Sequence, residues 1–211
     1  MPKPAALAAT ASEDLCRFLS ACFYEPTPLF TEERLFESML QAARQLDAGL
    51  AAQVQRLGQA FEADELQTLL VDYTRLFLGP ADARARPYGS VWLGGDGLLM
   101  QDSTMAVLDL YAEAGFDLDD GFRDLPDHIA VELEFLYVLT FRERLAREAG
   151  DAALADVVSG LRRRLLGEHL GRWAGPFTTA LRAGADTPFY RALADVVDTW
   201  VTRCHAQATA A

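Results

Sequence analysis

His128 and Glu132 stand four residues apart in the run DLPDHIAVELEFLYVLTFRER, Asp124 to Arg144, and helical spacing puts both on one face. An imidazole and a carboxylate so placed can share a metal ion or receive a basic ligand. Zinc needs more ligands than two, and His169 and His205 have no comparable partner pattern, so the pair is weak as a metal site. Upstream, Asp117, Asp119, Asp120 and Asp124 lead into Asp127, Glu132 and Glu134, with only Arg123 and His128 to compensate. As a calcium loop this run fails: with Asp117 as position one, Gly121 falls at position five and His128 stands where a bidentate Glu is required. Asp119, Asp120 and Asp124 could hold Mg²⁺ against a diphosphate substrate in an all-α enzyme. That chemistry takes carboxylates from two facing helices and basic residues for the phosphates, and one acidic cluster is visible; it stands as the alternative reading. Attraction of a basic ligand is what the charge itself favours, set against the plainer reading of a solvated, well-capped helix start.

Pro126 fixes φ and lacks the N–H that a first helical turn leaves unpaired, so a helix is predicted to start there, with Asp124 as cap and Asp127 at the positive end of its dipole. It carries Ile129, Leu133, Leu136 and the run Val138 to Phe141, and ends near Ala149 before Gly150. Apolar periodicity predicts other helices from Ala5 to Tyr24, stopped by Pro26 and Pro28, and from Thr31 through Leu35, Phe36, Met39, Leu40 and Ala43. Further ones run from Leu50 to Phe61, from Asp64 to Phe77 with Gly79-Pro80 as the stop, and from Asp102 or Ser103 to Gly115. The last lie near Ala152 to Leu170, Arg172 to Arg182 and Pro188 to His205. From Ala81 to Gly97 the density of Pro87, Gly89, Gly94 and Gly95 predicts a long loop without regular structure. Period-2 alternation bounded by turns is not found. The fold class is therefore all-α, a single helical bundle of about eight or nine helices. Its acidic segment is a candidate hinge between an N-terminal part, 1–115, and a C-terminal part, 124–211. Arg162, Arg163 and Arg164 read as the solvated side of a helix.

With 211 residues, 51% of them hydrophobic, the chain can bury a substantial core. Acids outnumber Lys plus Arg by 31 to 19, giving a formal charge of −12, which argues against nucleic acid as a partner and for attraction of cationic peptides. Cys16, Cys22 and Cys204 form no metal spacing and are odd in number, as reduced thiols of a cytosolic protein would be. Near the N-terminus Lys3 and several alanines are interrupted by Glu13 and Asp14 before an export signal develops, and no run of about 18 apolar residues occurs. A cytoplasmic protein without membrane insertion is expected.

Three stretches carry a resemblance. Asp72-Tyr73-Thr74-Arg75-Leu76-Phe77-Leu78-Gly79-Pro80, then Pro87-Tyr88-Gly89-Ser90-Val91-Trp92-Leu93, then Pro126-Asp127-His128 with Glu132-Leu133 resemble, in order and spacing, the TorD/DmsD family of redox-enzyme maturation chaperones. The resemblance extends from the first helix to about residue 200. It implies a protein that is not an enzyme and carries no cofactor. It implies binding of the twin-arginine signal peptide and the immature body of a molybdenum-cofactor oxidoreductase of the dimethyl sulfoxide reductase type, delaying export until the cofactor is loaded. It places aromatic and leucine contacts at Tyr73, Leu76 and Phe77, loop contacts at Pro87, Tyr88 and Trp92, and a polar centre at Asp127 and His128. Two carboxylates frequent in the family are replaced here by Leu125 and Gly89; Asp124 and Glu132 are the substitutes at hand. A twin-arginine peptide is a basic segment followed by an apolar one, so its receptor needs carboxylates beside an apolar groove. Both residue classes are present. Tyr73, Leu76 and Phe77 equally match an i, i+3, i+4 core stripe, and Tyr88 and Trp92 could pack on the bundle or capture a partner. Long loops in a helical bundle permit domain exchange, so monomer and swapped dimer both stay open.

Overall fold

Of the apolar side chains predicted to line the first helix, Leu15, Leu19, Cys22 and Phe23 are buried and Phe18 is half-buried. The computed structural model describes residues 4–79, 83–94, 97–118 and 124–210. Lys3, Pro80, Ala81, Gly95, Asp119, Asp120, Gly121 and Arg123 of the sequence reading lie outside them. Among the described residues there are eleven α-helices and one π-helical turn, rather than eight or nine helices. They are α1 (Pro4–Ala21), α2 (Leu29–Glu32), α3 (Leu35–Leu46), α4 (Ala48–Ala63), α5 (Leu66–Tyr73) with its π-helical extension (Thr74–Leu78), α6 (Gly89–Leu93), α7 (Asp102–Ala114), α8 (Ile129–Glu148), α9 (Ala152–Glu168), α10 (Leu170–Gly184) and α11 (Pro188–Ala210).

The surplus has local causes. The helix expected from Thr31 is two, because Arg34 takes a left-handed conformation (φ 54°) between α2 and α3. The stretch rich in Gly and Pro holds the short helix α6, so it is not wholly irregular. Asp64 to Phe77 is α-helical only to Tyr73 and then widens. Such π turns throw one backbone bond out of register and recur at functional sites.

α8 is the central element. Nearly every residue of its first half, Ile129 to Leu136, is buried, whereas beyond Leu139 only Glu143 and Ala146 are. It packs between α1 and α9, while α3, α4 and α11 form a second layer closed by α10. Aromatic groups knit the layers: Phe36, Phe61 and Phe189 meet between α3, α4 and α11, and Phe23, Phe77 and Tyr190 between α1, the π turn and α11. Each large apolar side chain contributes roughly 1.5–3 kcal/mol on burial, so this core outweighs exposed ion pairs at about 0–1 kcal/mol each. Cys16, Cys22 and Cys204 belong to it as free thiols, and burial raises all three above the ordinary thiol range.

Two polar devices fix the frame. Buried Asp72 accepts from Asp186 N (3.0 Å), Thr187 N (2.8 Å) and Thr187 Oγ1 (2.8 Å), so the first residue of the Asp72–Pro80 motif clamps α5 to the start of α11. Arg144 binds Glu13 at 2.7 Å, and Arg162 binds Glu143 at 2.9 Å, tying α8 to α1 and α9. Arg162 and Arg164 are thus not free solvated charges, Arg164 pairing with Glu113; Arg163 is exposed as expected. No helix among the described residues is long and apolar enough to cross a membrane.

Candidate functional site

The central helix does not begin at Pro126. Ile129 N–H donates to the Pro87 carbonyl and Gly89 N–H to the Asp127 carbonyl, both at 2.8 Å, so Tyr88 and His128 pair as a single antiparallel rung. Those bonds hold His128 extended (φ −69°, ψ 141°), and α8 starts one residue later, with His128 as its cap: Nδ1 accepts from Ala130 N at 3.1 Å. Tyr111 holds the preceding turn by donating to the Pro126 carbonyl at 2.9 Å. Asp124 caps only its own turn, accepting from Leu125 N at 2.8 Å.

Asp127 is a brace rather than a dipole partner for α8. It is 1% exposed, and Oδ2 accepts from Ser90 N (2.7 Å) and Thr104 Oγ1 (3.2 Å), drawing the starts of α6 and α7 to one carboxylate. Its Oδ1 and the neighbouring Ser90 Oγ are buried without a hydrogen-bond partner among the described residues.

Glu132 shares a helix face with His128 but points inward. Trp173 Nε1 donates to its two oxygens at 3.2 and 3.3 Å, and burial raises its carboxyl well above the usual range. A Cβ on Gly89 would stand 3.0 Å from Trp173 Nε1 and 3.2 Å from Glu132 Oε1, so glycine is what lets α6 seat against this pair. Glu132 therefore lies behind the site and offers no carboxylate at its mouth.

The mouth itself is aromatic and acidic. Tyr88 stands edge-on to His128 with centroids 5.3 Å apart, and its hydroxyl lies in the field of Asp124. Burial and that carboxylate raise the Tyr88 hydroxyl far above its ordinary value. Asp124 Oδ2 is 3.8 Å from His128 Nε2. Burial lowers the His128 pKa, against the opposing pull of Asp124 and Asp127. With Nδ1 accepting from a backbone amide, the imidazole is neutral and carries its proton on Nε2, toward Asp124. Tyr73 shows only an edge and donates to the Phe23 carbonyl at 3.5 Å; burial, with Asp124 and Glu25 nearby, pushes its hydroxyl up to about 12.

Four other expected contacts lie deeper. Leu76 and Phe77 are core residues, Phe77 packing edge-to-face on Tyr73 at 5.1 Å, so they support Tyr73 instead of presenting their own surface. Pro87 is buried and contributes its carbonyl. Trp92 is half-buried, with Nε1 donating to the Arg86 carbonyl at 2.9 Å and its ring against Phe177, away from the His128 rung.

One member escaped the sequence reading. Tyr24, just past the end of α1, is 40% exposed and lies parallel to His128 (15°, 6.2 Å), in the field of Asp124 and Glu134. Its signal was an aromatic followed by Glu25 and Pro26 where a helix stops. Glu25 and Glu134 are exposed, and neither pairs with Lys or Arg among the described residues. Chemically the mouth fits a planar cation: guanidinium groups stack on tyrosine faces and fork onto carboxylates. Among the described residues no group of three or more His, Cys, Asp or Glu is placed to hold a metal ion. Asp119 and Asp120, on which the magnesium reading leaned, are outside them.

Fold and site together define an all-α protein whose acidic, tyrosine-lined mouth sits where three separate chain segments meet. Residues 43–179 match the family described as nitrate reductase delta subunit, and the chain belongs to that family. It is 28% identical over 195 residues to the Tat proofreading chaperone DmsD of Salmonella typhimurium, covering 90% of this chain and 87% of that protein. It is 29% identical over 177 residues to the selenate reductase assembly chaperone protein of Thauera selenatis, covering 81% and 88%. A crystal structure described as a redox enzyme maturation protein from Archaeoglobus fulgidus has the same fold, with a TM-score of 0.53 over 92% of each chain at 18% identity. The resemblance drawn from the three motifs holds, and these relatives are named as chaperones rather than enzymes. The magnesium-enzyme alternative is not favoured.

Proposed function

We propose that this protein is a cytoplasmic chaperone for a molybdenum-cofactor oxidoreductase of the dimethyl sulfoxide reductase type. It binds the twin-arginine signal peptide and immature body of that client, assists cofactor insertion and delays export, with no chemical step of its own. The observation that carries this reading is the Tyr88–His128 rung, which joins two of the three motif stretches and leaves Tyr24, Tyr88 and Asp124 around one imidazole. Charge-assisted bonds and buried large apolar side chains each contribute roughly 1.5–3 kcal/mol, so a few of each reach about micromolar affinity after association costs.

The test is calorimetric titration with a twin-arginine signal peptide of a molybdoenzyme, beside the same peptide with both arginines replaced by lysine. Saturable binding that weakens in the lysine peptide and falls with added salt supports the reading. Equal binding of the two peptides removes the guanidinium fork, and no binding to either refutes signal-peptide recognition.

A further inference from the structure

Beyond the mouth, a consecutive run of large apolar side chains is left in solvent. Leu98, Leu99 and Met100 are 57%, 42% and 57% exposed, and Met105, one turn into α7, is 55% exposed. The backbone holds them out. Gly97 (φ 65°) and Met100 (φ 56°) are both left-handed, a conformation that a residue with a side chain adopts at a cost. Arg86 Nη1 donates to the Gly97 carbonyl at 3.1 Å, and Gln101 Nε2 to the Leu99 carbonyl at 3.0 Å, so the segment is tethered along its length. Beside it lies a cavity of about 450 Å³ lined by Val91, Trp92 and Gly97, whose charged lining residues are Arg84 and Arg86.

Both edges of this shelf are anchored at the mouth. Ser90, at the start of α6, and Thr104, in the first turn of α7, share Asp127 Oδ2. Met100 is four residues from Thr104, within about 14 Å even if fully extended, and a helical peptide spans that in roughly ten residues. Charge runs the same way: exposed carboxylates stand at the mouth, whereas beside the shelf Arg86 bonds the Gly97 carbonyl and Arg84 pairs with Asp186, so the basic end of a peptide is drawn to the mouth and its apolar end is left for the shelf.

We infer that the shelf formed by Leu98, Leu99, Met100 and Met105 with Trp92 receives the apolar segment that follows the arginine pair of the same signal peptide. This rests on the proposed recognition of that peptide at the mouth. The apolar groove around Leu145, Leu154 and Val157 is a poorer seat, because it lies about 25 Å along α8 from His128.

The experiment titrates the parent and the triple variant Leu98→Ser, Leu99→Ser, Met100→Asn with two probes. One is the whole twin-arginine peptide; the other has its apolar segment replaced by Gly and Ser. The parent is expected to bind the whole peptide tenfold or more tighter than the replaced one. The variant, with unchanged circular dichroism, is expected to lose that advantage while binding the replaced peptide as the parent does. Parent-like affinity of the variant for the whole peptide overturns the shelf and leaves the mouth standing, and an equal loss for both probes overturns it as well. Failure of the parent to bind either probe overturns both readings. Unchanged peptide affinity with lost retention of the immature oxidoreductase assigns the shelf to the client body and overturns the inference.

Discussion

Tyr88 and His128 are held opposite each other by two backbone hydrogen bonds of 2.8 Å between their neighbours, and buried Asp127 holds α6 and α7 through Oδ2. The mouth is therefore only as rigid as that one buried carboxylate. Asp127→Asn weakens a charge-assisted acceptor and should cost about 1–2 kcal/mol in urea unfolding. Combined with His128→Ala it should weaken twin-arginine peptide binding tenfold or more, about 1.4 kcal/mol, with the helical dichroism signal intact. Unchanged peptide affinity in the double variant would take the rung out of the site.

His128 gives the fold a defined response to acid. Its Nδ1 lone pair caps α8 at Ala130, and an imidazolium has no such lone pair. Burial lowers the folded pKa below the ordinary histidine value of about 6.5, so the unfolded chain takes up the proton first. The neutral cap's contribution is full above about 6.5 and drains away as pH falls from there to the folded value. Urea midpoints between pH 5 and 8 should show this decline in the parent. His128→Asn keeps a cap acceptor that does not titrate, and should remove that part of it.

Glu132 has the opposite sign. Its carboxyl is raised by burial, so the folded chain keeps a proton that the unfolded chain releases above about 4.5. Stability is lost as pH rises from there through the folded pKa. Glu132→Gln retains an acceptor for Trp173 Nε1 without that linkage, and should be more stable than the parent at pH 7 by roughly 1 kcal/mol or more. The difference should shrink toward pH 4.5. A less stable glutamine variant at pH 7 would mean that the ionised carboxylate is what the core requires.

Periodicity located α7 and α9 closely because each buries a stripe set by its own sequence. It failed where distant backbone decides. Pro126 looks like a helix start, yet donors from Gly89 and Ile129 convert residues 127–128 into a rung. A stripe such as Tyr73, Leu76 and Phe77 reads the same whether it faces core or ligand; the fold sinks the last two and leaves an edge of the first. His128 and Glu132 share one helical face, but Gly89 admits Trp173 against Glu132, and no local pattern encodes that approach. Asp72 looked like part of a binding motif and is instead the cap of a helix start more than a hundred residues away in sequence.

Tyr24 separates a binding role from a packing role most cleanly, because its ring is 40% exposed and lies parallel on His128 at 6.2 Å. If its function were to cover His128, Tyr24→Phe would be neutral and Tyr24→Ala would lower stability and shift the acid response. If the ring forms one wall for a guanidinium, cation–π contact at a half-desolvated surface is worth about 0.5–1.5 kcal/mol. Tyr24→Ala should then weaken arginine-peptide binding three- to tenfold while changing stability by less than about 0.5 kcal/mol. Tyr24→Phe, which retains the ring, should bind within twofold of the parent. The lysine peptide should be less affected, since an ammonium does not stack as a planar guanidinium does. Paired titrations of both variants with both peptides decide it: equal losses for the arginine and lysine peptides would reduce Tyr24 to general surface shape.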